Sequence, residues 1–171
     1  MPPTSSTMTD LTAEETLKFM GGLWKLNRRI KQSVQPLIAE QYGLDIRKYF
    51  ILQNIRHGRV YPKQIAENLD MPSTLLSRYL DGLHTQGLIE RQIDPHDSRR
   101  TLLSVTPAGQ TAVEGCTQLI GEVSRARLQY LPPQKLAALL DAMRTLEDLT
   151  ADQPHADQSS PDQLKPEQET P

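Results

Sequence analysis

Two groups of residues in this 171-residue chain could do chemistry. Ser73, Thr74, Ser77 and Arg78 are spaced i, i+1, i+4 and i+5, which puts them on one side of a helix. Hydroxyls so placed can reach phosphate oxygens or base edges, and a guanidinium can grip a phosphate or the edge of a guanine. The second group lies in the turn-rich run Asp94-Pro95-His96-Asp97-Ser98-Arg99, which sets a cation at the tip of a loop, two residues after a carboxylate. Arg100 follows it, and Arg56, Arg59 and Lys63 supply further positive charge upstream.

The chemistry that is missing narrows the choice. The chain has no glycine-rich phosphate loop and no serine elbow. His57, His84, His96 and His155 are scattered, and none stands at metal-ligand spacing from another. An enzyme, a cofactor and a metal site are therefore not expected. Cys116 is the only cysteine, so no internal disulfide can form. It reads as a small apolar core residue, because no basic cluster nearby would stabilise a thiolate.

Helical and turn signals supply the elements that must position these groups. Residues 1–10 are polar and expected to be disordered. Thr12 and Glu15 form a capping-box pair, and a stripe of Leu17, Met20, Leu23, Trp24, Ile30, Val34, Leu37 and Ile38 predicts one long helix over 11–42. Pro36 is expected to bend or break it, and Gly43 to end it. Asp45 caps a second helix to Arg56 with Phe50, Ile51 and Ile55 inward, closed by His57-Gly58. Pro62 opens a short helix over 62–69. After the turn Asp70-Met71-Pro72, Ser73 caps a helix over 73–87 with Leu76, Leu80 and Leu83 inside. Strands are expected near 88–93 and 100–105. Thr106-Pro107 starts a helix to about Tyr130, and a last helix follows Pro132-Pro133.

The resulting fold class is mainly α with a small β-hairpin wing. A short helix, a brief turn and a second helix, followed by a hairpin, make a winged helix-turn-helix over 45–106, with long helices on both sides. This segment resembles the MarR family of bacterial regulators. The residues that carry the resemblance are Asp97, Arg99, Leu103, Val105, Thr106 and Gly109 in the family's wing register. Leu80, Leu83, Gly87-Leu88-Ile89 and Arg91 match upstream. The resemblance implies a homodimeric transcriptional regulator, a repressor, bound to a pseudo-palindromic double-stranded DNA operator. The helix 73–87 would enter the major groove. Arg99 would enter the minor groove, oriented by Asp97, with Arg100, Lys63 and Arg56 as further contacts. Ser73 has two compatible readings, helix cap and DNA contact. For Arg99 the alternative is an ordinary surface ion pair on a solvated turn, and for the whole domain a module that binds protein instead of DNA.

Charge argues less directly. The net charge is -2, but residues 151–171 hold five acids against Lys165 alone, so residues 1–150 come out at +2. Any basic surface must come from geometry, and Arg78 is the only Lys or Arg within 73–87. The acidic tail is expected to be disordered. The apolar stripes of the helices over 11–42 and 107–150 exceed what one small core can use. They predict dimerisation, the alternative being a bundle within one chain. The resemblance also implies a small-molecule effector, for which Trp24, Arg28, Tyr42 and His57 are the candidate pocket. Trp24 as packing and His57 as a helix cap are the plainer readings. Without a basic, apolar leader or a membrane span, the expected location is the cytoplasm.

Overall fold

The computed structural model describes residues 10–151, so the expected disorder at the two ends falls almost wholly outside the described residues. Within them the order is α1 (Ala13–Tyr42), α2 (Ile46–Arg56), α3 (Pro62–Asn68), α4 (Ser73–Thr85), β1 (Ile89–Ile93), β2 (Thr101–Val105), α5 (Pro107–Leu128) and α6 (Pro133–Ala151). No helix among the described residues is long and apolar enough to cross a membrane.

Local chemistry fixes the helix ends. The Thr12 hydroxyl accepts the Glu15 N–H at 3.2 Å, and the Glu15 carboxylate accepts the Thr12 N–H at 2.9 Å. Gly43 closes α1 in the left-handed conformation at φ 62°, with its N–H on the Ala39 carbonyl. Of the two outcomes expected at Pro36, a bend or a break, the break does not occur, and α1 runs through it. Val34 and Ile38 on either side of it are fully buried, and their packing carries the helix across the lost hydrogen bond. Asp45 Oδ1 caps α2 through the Lys48 N–H at 2.8 Å. Phe50 was expected inward but is 47% exposed. Tyr49, Ile51, Leu52 and Ile55 take the core side of α2, and Phe50 leans on Tyr49 at a ring separation of 5.3 Å.

Two compact units divide the chain at Arg127 and Leu128. In the first, α1 to α5 and the hairpin share one core: Val34 and Ile38, then Ile51, Leu52, Ile65, Leu76, Leu83, Ile89, Leu103, Val113 and Cys116. Burial pushes the Cys116 thiol up to about 11, which agrees with a structural core cysteine. An amide pair, with Asn54 buried and Asn68 exposed, joins two helices. Asn68 Nδ2 of α3 donates to Asn54 Oδ1 of α2 at 2.8 Å, and Asn54 donates to the Phe50 carbonyl. Arg127 donates to the Ser33 hydroxyl at 2.6 Å, tying the end of α5 to α1. In the second unit α6 keeps Leu139, Leu140, Met143, Leu146 and Leu149 between 40% and 63% exposed.

The hairpin is closed at its foot by Thr106. Its N–H donates to the Leu88 carbonyl at 3.1 Å and its hydroxyl to the Gly87 carbonyl at 2.7 Å. The same hydroxyl oxygen accepts the Gly109 N–H at 3.0 Å and so caps α5. This draws α5 so close that a Cβ on Gly109 would collide with the Leu88 carbonyl oxygen and stand 2.8 Å from Val105 Cγ1. Gly109→Ala should therefore lower stability by about 1–3 kcal/mol, as overpacking does. Urea unfolding checks this, and an unchanged midpoint would contradict the close approach.

Candidate nucleic-acid interface

The turn between α3 and α4 sets the exposed hydroxyls. Asp70 adopts a left-handed φ of 46°, and the Met71 N–H donates to the Ala66 carbonyl at 2.9 Å. Pro72, not Ser73, occupies the cap position, and Ser73 is the first helical residue with no capping bond from its side chain. The capping role expected of Ser73 is thus taken by an extended proline (φ -55°, ψ 135°), which leaves the serine hydroxyl outward. Ser73, Thr74, Ser77 and Arg78 are all exposed on the early turns of α4, above buried Leu76, Leu80 and Leu83. Arg78 has no ion-pair partner among the described residues.

The wing pairs Ile89 with Val105 through to Ile93 with Thr101, antiparallel. Its loop is held by its own backbone: Asp94 N–H to Arg100 O at 3.0 Å, and Arg100 N–H to Asp97 O at 2.9 Å. Asp97 Oδ1 accepts the Arg99 backbone N–H at 3.1 Å. Asp97 therefore shapes the turn from which Arg99 leaves, and no ion pair joins its carboxylate to the Arg99 guanidinium. Arg99 is exposed at the tip, and Arg100 turns away, its guanidinium 3.9 Å from the centre of the Tyr61 ring.

Sequence reasoning missed the group beneath that arginine. Asp94 is 4% exposed, with Oδ1 accepting the His96 N–H at 2.8 Å and Oδ2 accepting the Tyr61 hydroxyl at 2.7 Å. The His96 and Tyr61 hydrogen bonds hold the Asp94 carboxyl below its ordinary range, and the bond to Asp94 pushes the Tyr61 phenol above its own. The only signal lay in a tyrosine standing directly before the helix-opening Pro62. Two further links fix the wing: Leu103 N–H to Val60 O at 2.9 Å, and Arg91 to Asp81 of α4 at 2.7 Å. Between α4 and the wing lies a groove of about 420 Å³ lined by Lys63, Ser73, Ser77, Leu80, Arg91 and Thr101, among others.

The remaining candidates are placed less favourably. Arg56 faces Glu114 at 3.7 Å and Lys63 faces Glu67 at 3.8 Å, both partly or largely exposed pairs of little strength. The four residues suggested for one effector pocket are not brought together within the chain. Trp24 and Arg28 stack at 5.4 Å on α1 beside Asn27 and Lys31. Tyr42 lies 18 residues further on, roughly 27 Å along the helix. Its phenol packs over Gly115 of α5. His57 caps α2 through its backbone. Within one chain, Trp24 and Tyr42 therefore stand at separate levels of α1.

Comparison with known proteins bears on this geometry. A profile of the MarR family matches residues 42–100. The multiple antibiotic resistance protein MarR of Escherichia coli is 31% identical over 104 residues, covering 58% of this chain and 72% of that protein. The chain belongs to the MarR family. Among solved structures, BldR of Sulfolobus solfataricus superposes on it with a TM-score of 0.69 at 16% identity, over 81% of this chain and 99% of that one. A mutant E. coli MarR complexed with operator DNA gives 0.58 at 24%, over 76% and 96%. The winged-helix fold read from the sequence is thus shared with MarR-family structures.

The Tyr61–Asp94 contact can be read directly in this MarR-family chain. Asp94→Ala removes both the acceptor and the charge, so the Tyr61 phenol should fall back toward its ordinary 10.0. A near-UV absorbance titration of wild type against variant measures it. Superimposable curves would show that the contact does not form in solution.

Proposed function

We propose that this chain is a homodimeric transcriptional repressor that binds a pseudo-palindromic duplex, with α4 in the major groove and Arg99 in the minor groove. One observation carries the reading: exposed Ser73, Thr74, Ser77 and Arg78 on α4 accompany an exposed, unpaired Arg99 at the tip of a wing fastened to the same frame. The bound state of the related E. coli MarR mutant, complexed with operator DNA, supports it. Arg100 is committed to Tyr61, and Arg56 and Lys63 have acidic neighbours, so Arg99 and Arg78 supply the least encumbered cations. Repression follows most simply, since occupying a promoter needs no contact with a polymerase.

The dimer is supported by uncovered apolar side chains in each unit. Leu17, Met20, Leu23 and Trp24 of α1 are 50% or more exposed, and α6 keeps its own leucine stripe open. A two-fold dimer presents two α4 helices about 34–36 Å apart, one turn of DNA. Such a protein works in the cytoplasm beside the DNA it regulates. An effector that releases it is supported at Trp24 and Arg28 alone, the one pair of the four that the fold brings together.

Selection from a random-sequence duplex pool with the purified chain should yield a pseudo-palindrome. Arg99→Ala should then weaken binding to that duplex by on the order of 1–3 kcal/mol. Affinity unchanged at moderate salt would remove Arg99 from the interface. Light scattering at micromolar concentration should give the mass of two chains, and the mass of one would exclude the dimer.

A further inference from the structure

A wing attached only at its foot cannot aim its tip. From Leu103, bonded to Val60, the chain runs back four residues through β2 and the turn to Arg99, a reach of up to roughly 13 Å. Angular play of about 10° at that foot would move the tip by roughly 2 Å, several times the roughly 0.5 Å range of hydrogen-bond lengths. Two-stranded hairpins are marginally stable alone, so stiffness must come from outside the hairpin.

Tyr61 stands where it can supply that stiffness. It is the cap residue of α3, and its own N–H faces Gln64 Oε1 at 3.4 Å, so it belongs to the helical frame that carries α4. Its side chain meets both ends of the 94–100 loop. The hydroxyl donates to Asp94 Oδ2 at the loop's start, and the ring lies under the Arg100 guanidinium at its end. The same two loop residues are joined by the Asp94 N–H to Arg100 carbonyl bond. The other carboxylate oxygen, Oδ1, is engaged by the His96 N–H within the loop. Loss of the phenol hydroxyl would leave Oδ2 of a nearly buried carboxylate without its partner, and the loop would have to shift to hydrate it.

We propose that Tyr61 is the positioning residue of the wing: by holding Asp94 and Arg100 against α3, it sets the direction in which Arg99 is presented to the minor groove. Arg100, a candidate DNA contact by sequence, is accordingly a clamp on the wing. This inference rests on the reading of Arg99 as a minor-groove contact.

A double-mutant cycle on the full-length chain tests it, using the duplex recovered by selection as the probe. In the wild-type background Arg99→Ala should weaken binding roughly 5- to 150-fold. In the Tyr61→Phe background, which keeps the ring under Arg100, the same substitution should change binding less than about 2-fold. Asp94→Ala removes the hydrogen bond from the other side and should collapse the Arg99 effect likewise, so either variant decides should the other fail to fold. Thermal melts of each variant establish that it is folded. An Arg99 effect of equal size in all backgrounds would overturn the positioning role while leaving the function intact. No Arg99 effect in the wild-type background would overturn both.

Discussion

A carboxylate taken out of water must find partners, and Asp94 finds them in two places that would otherwise move independently. One is its own loop, through His96. The other is Tyr61, at the start of α3. Because the carboxylate is 4% exposed, neither bond can be exchanged cheaply for water. The hairpin, which has only five residues per strand, is thereby held to the helices that carry the exposed face of α4. A surface ion pair in the same position would constrain far less, since exposed pairs contribute about 0–1 kcal/mol and are screened by salt.

The opposite end of the wing uses close packing. Thr106 satisfies the Gly87 and Leu88 carbonyls and caps α5, and Gly109 lets α5 come down onto that junction. The wing motif therefore contains two kinds of residue. Thr106 and Gly109 are needed for the fold, whereas Arg99 projects from it with no structural duty of its own. That division explains how a chain with a net charge of -2 can present cations where they count. Asp81 holds Arg91 to the frame, Glu67 and Glu114 stand beside Lys63 and Arg56, and Arg78 and Arg99 are left outward.

Much of the fold was legible because helix ends are local. Thr12 with Glu15, Gly43, Asp45, Pro62 and Gly87 each mark a terminus through backbone conformation or bonds spanning a few residues, and all five stand where the sequence puts them. What could not be read depends on tertiary placement. Pro36 stays inside α1 because Val34 and Ile38 are anchored in a core built by other elements. Ser73 loses its capping role because Pro72 already has the extended conformation. The Tyr61–Asp94 and Asn54–Asn68 bonds join residues 33 and 14 positions apart, with no periodic pattern to announce them. The same holds for Trp24 and Tyr42, which a reading of side-chain types groups together but which α1 sets 18 residues apart.

Hydroxyl-radical footprinting of the selected duplex tests most directly whether the wing reaches the minor groove. Wild-type protein should protect two major-groove-facing segments one turn apart, flanked on each outer side by a protected minor-groove segment. In Arg99→Ala the outer minor-groove protection should disappear while the central segments persist at saturating protein. Footprints that remain identical at saturation would contradict the placement of Arg99 and, with it, the account of what the anchored wing is for.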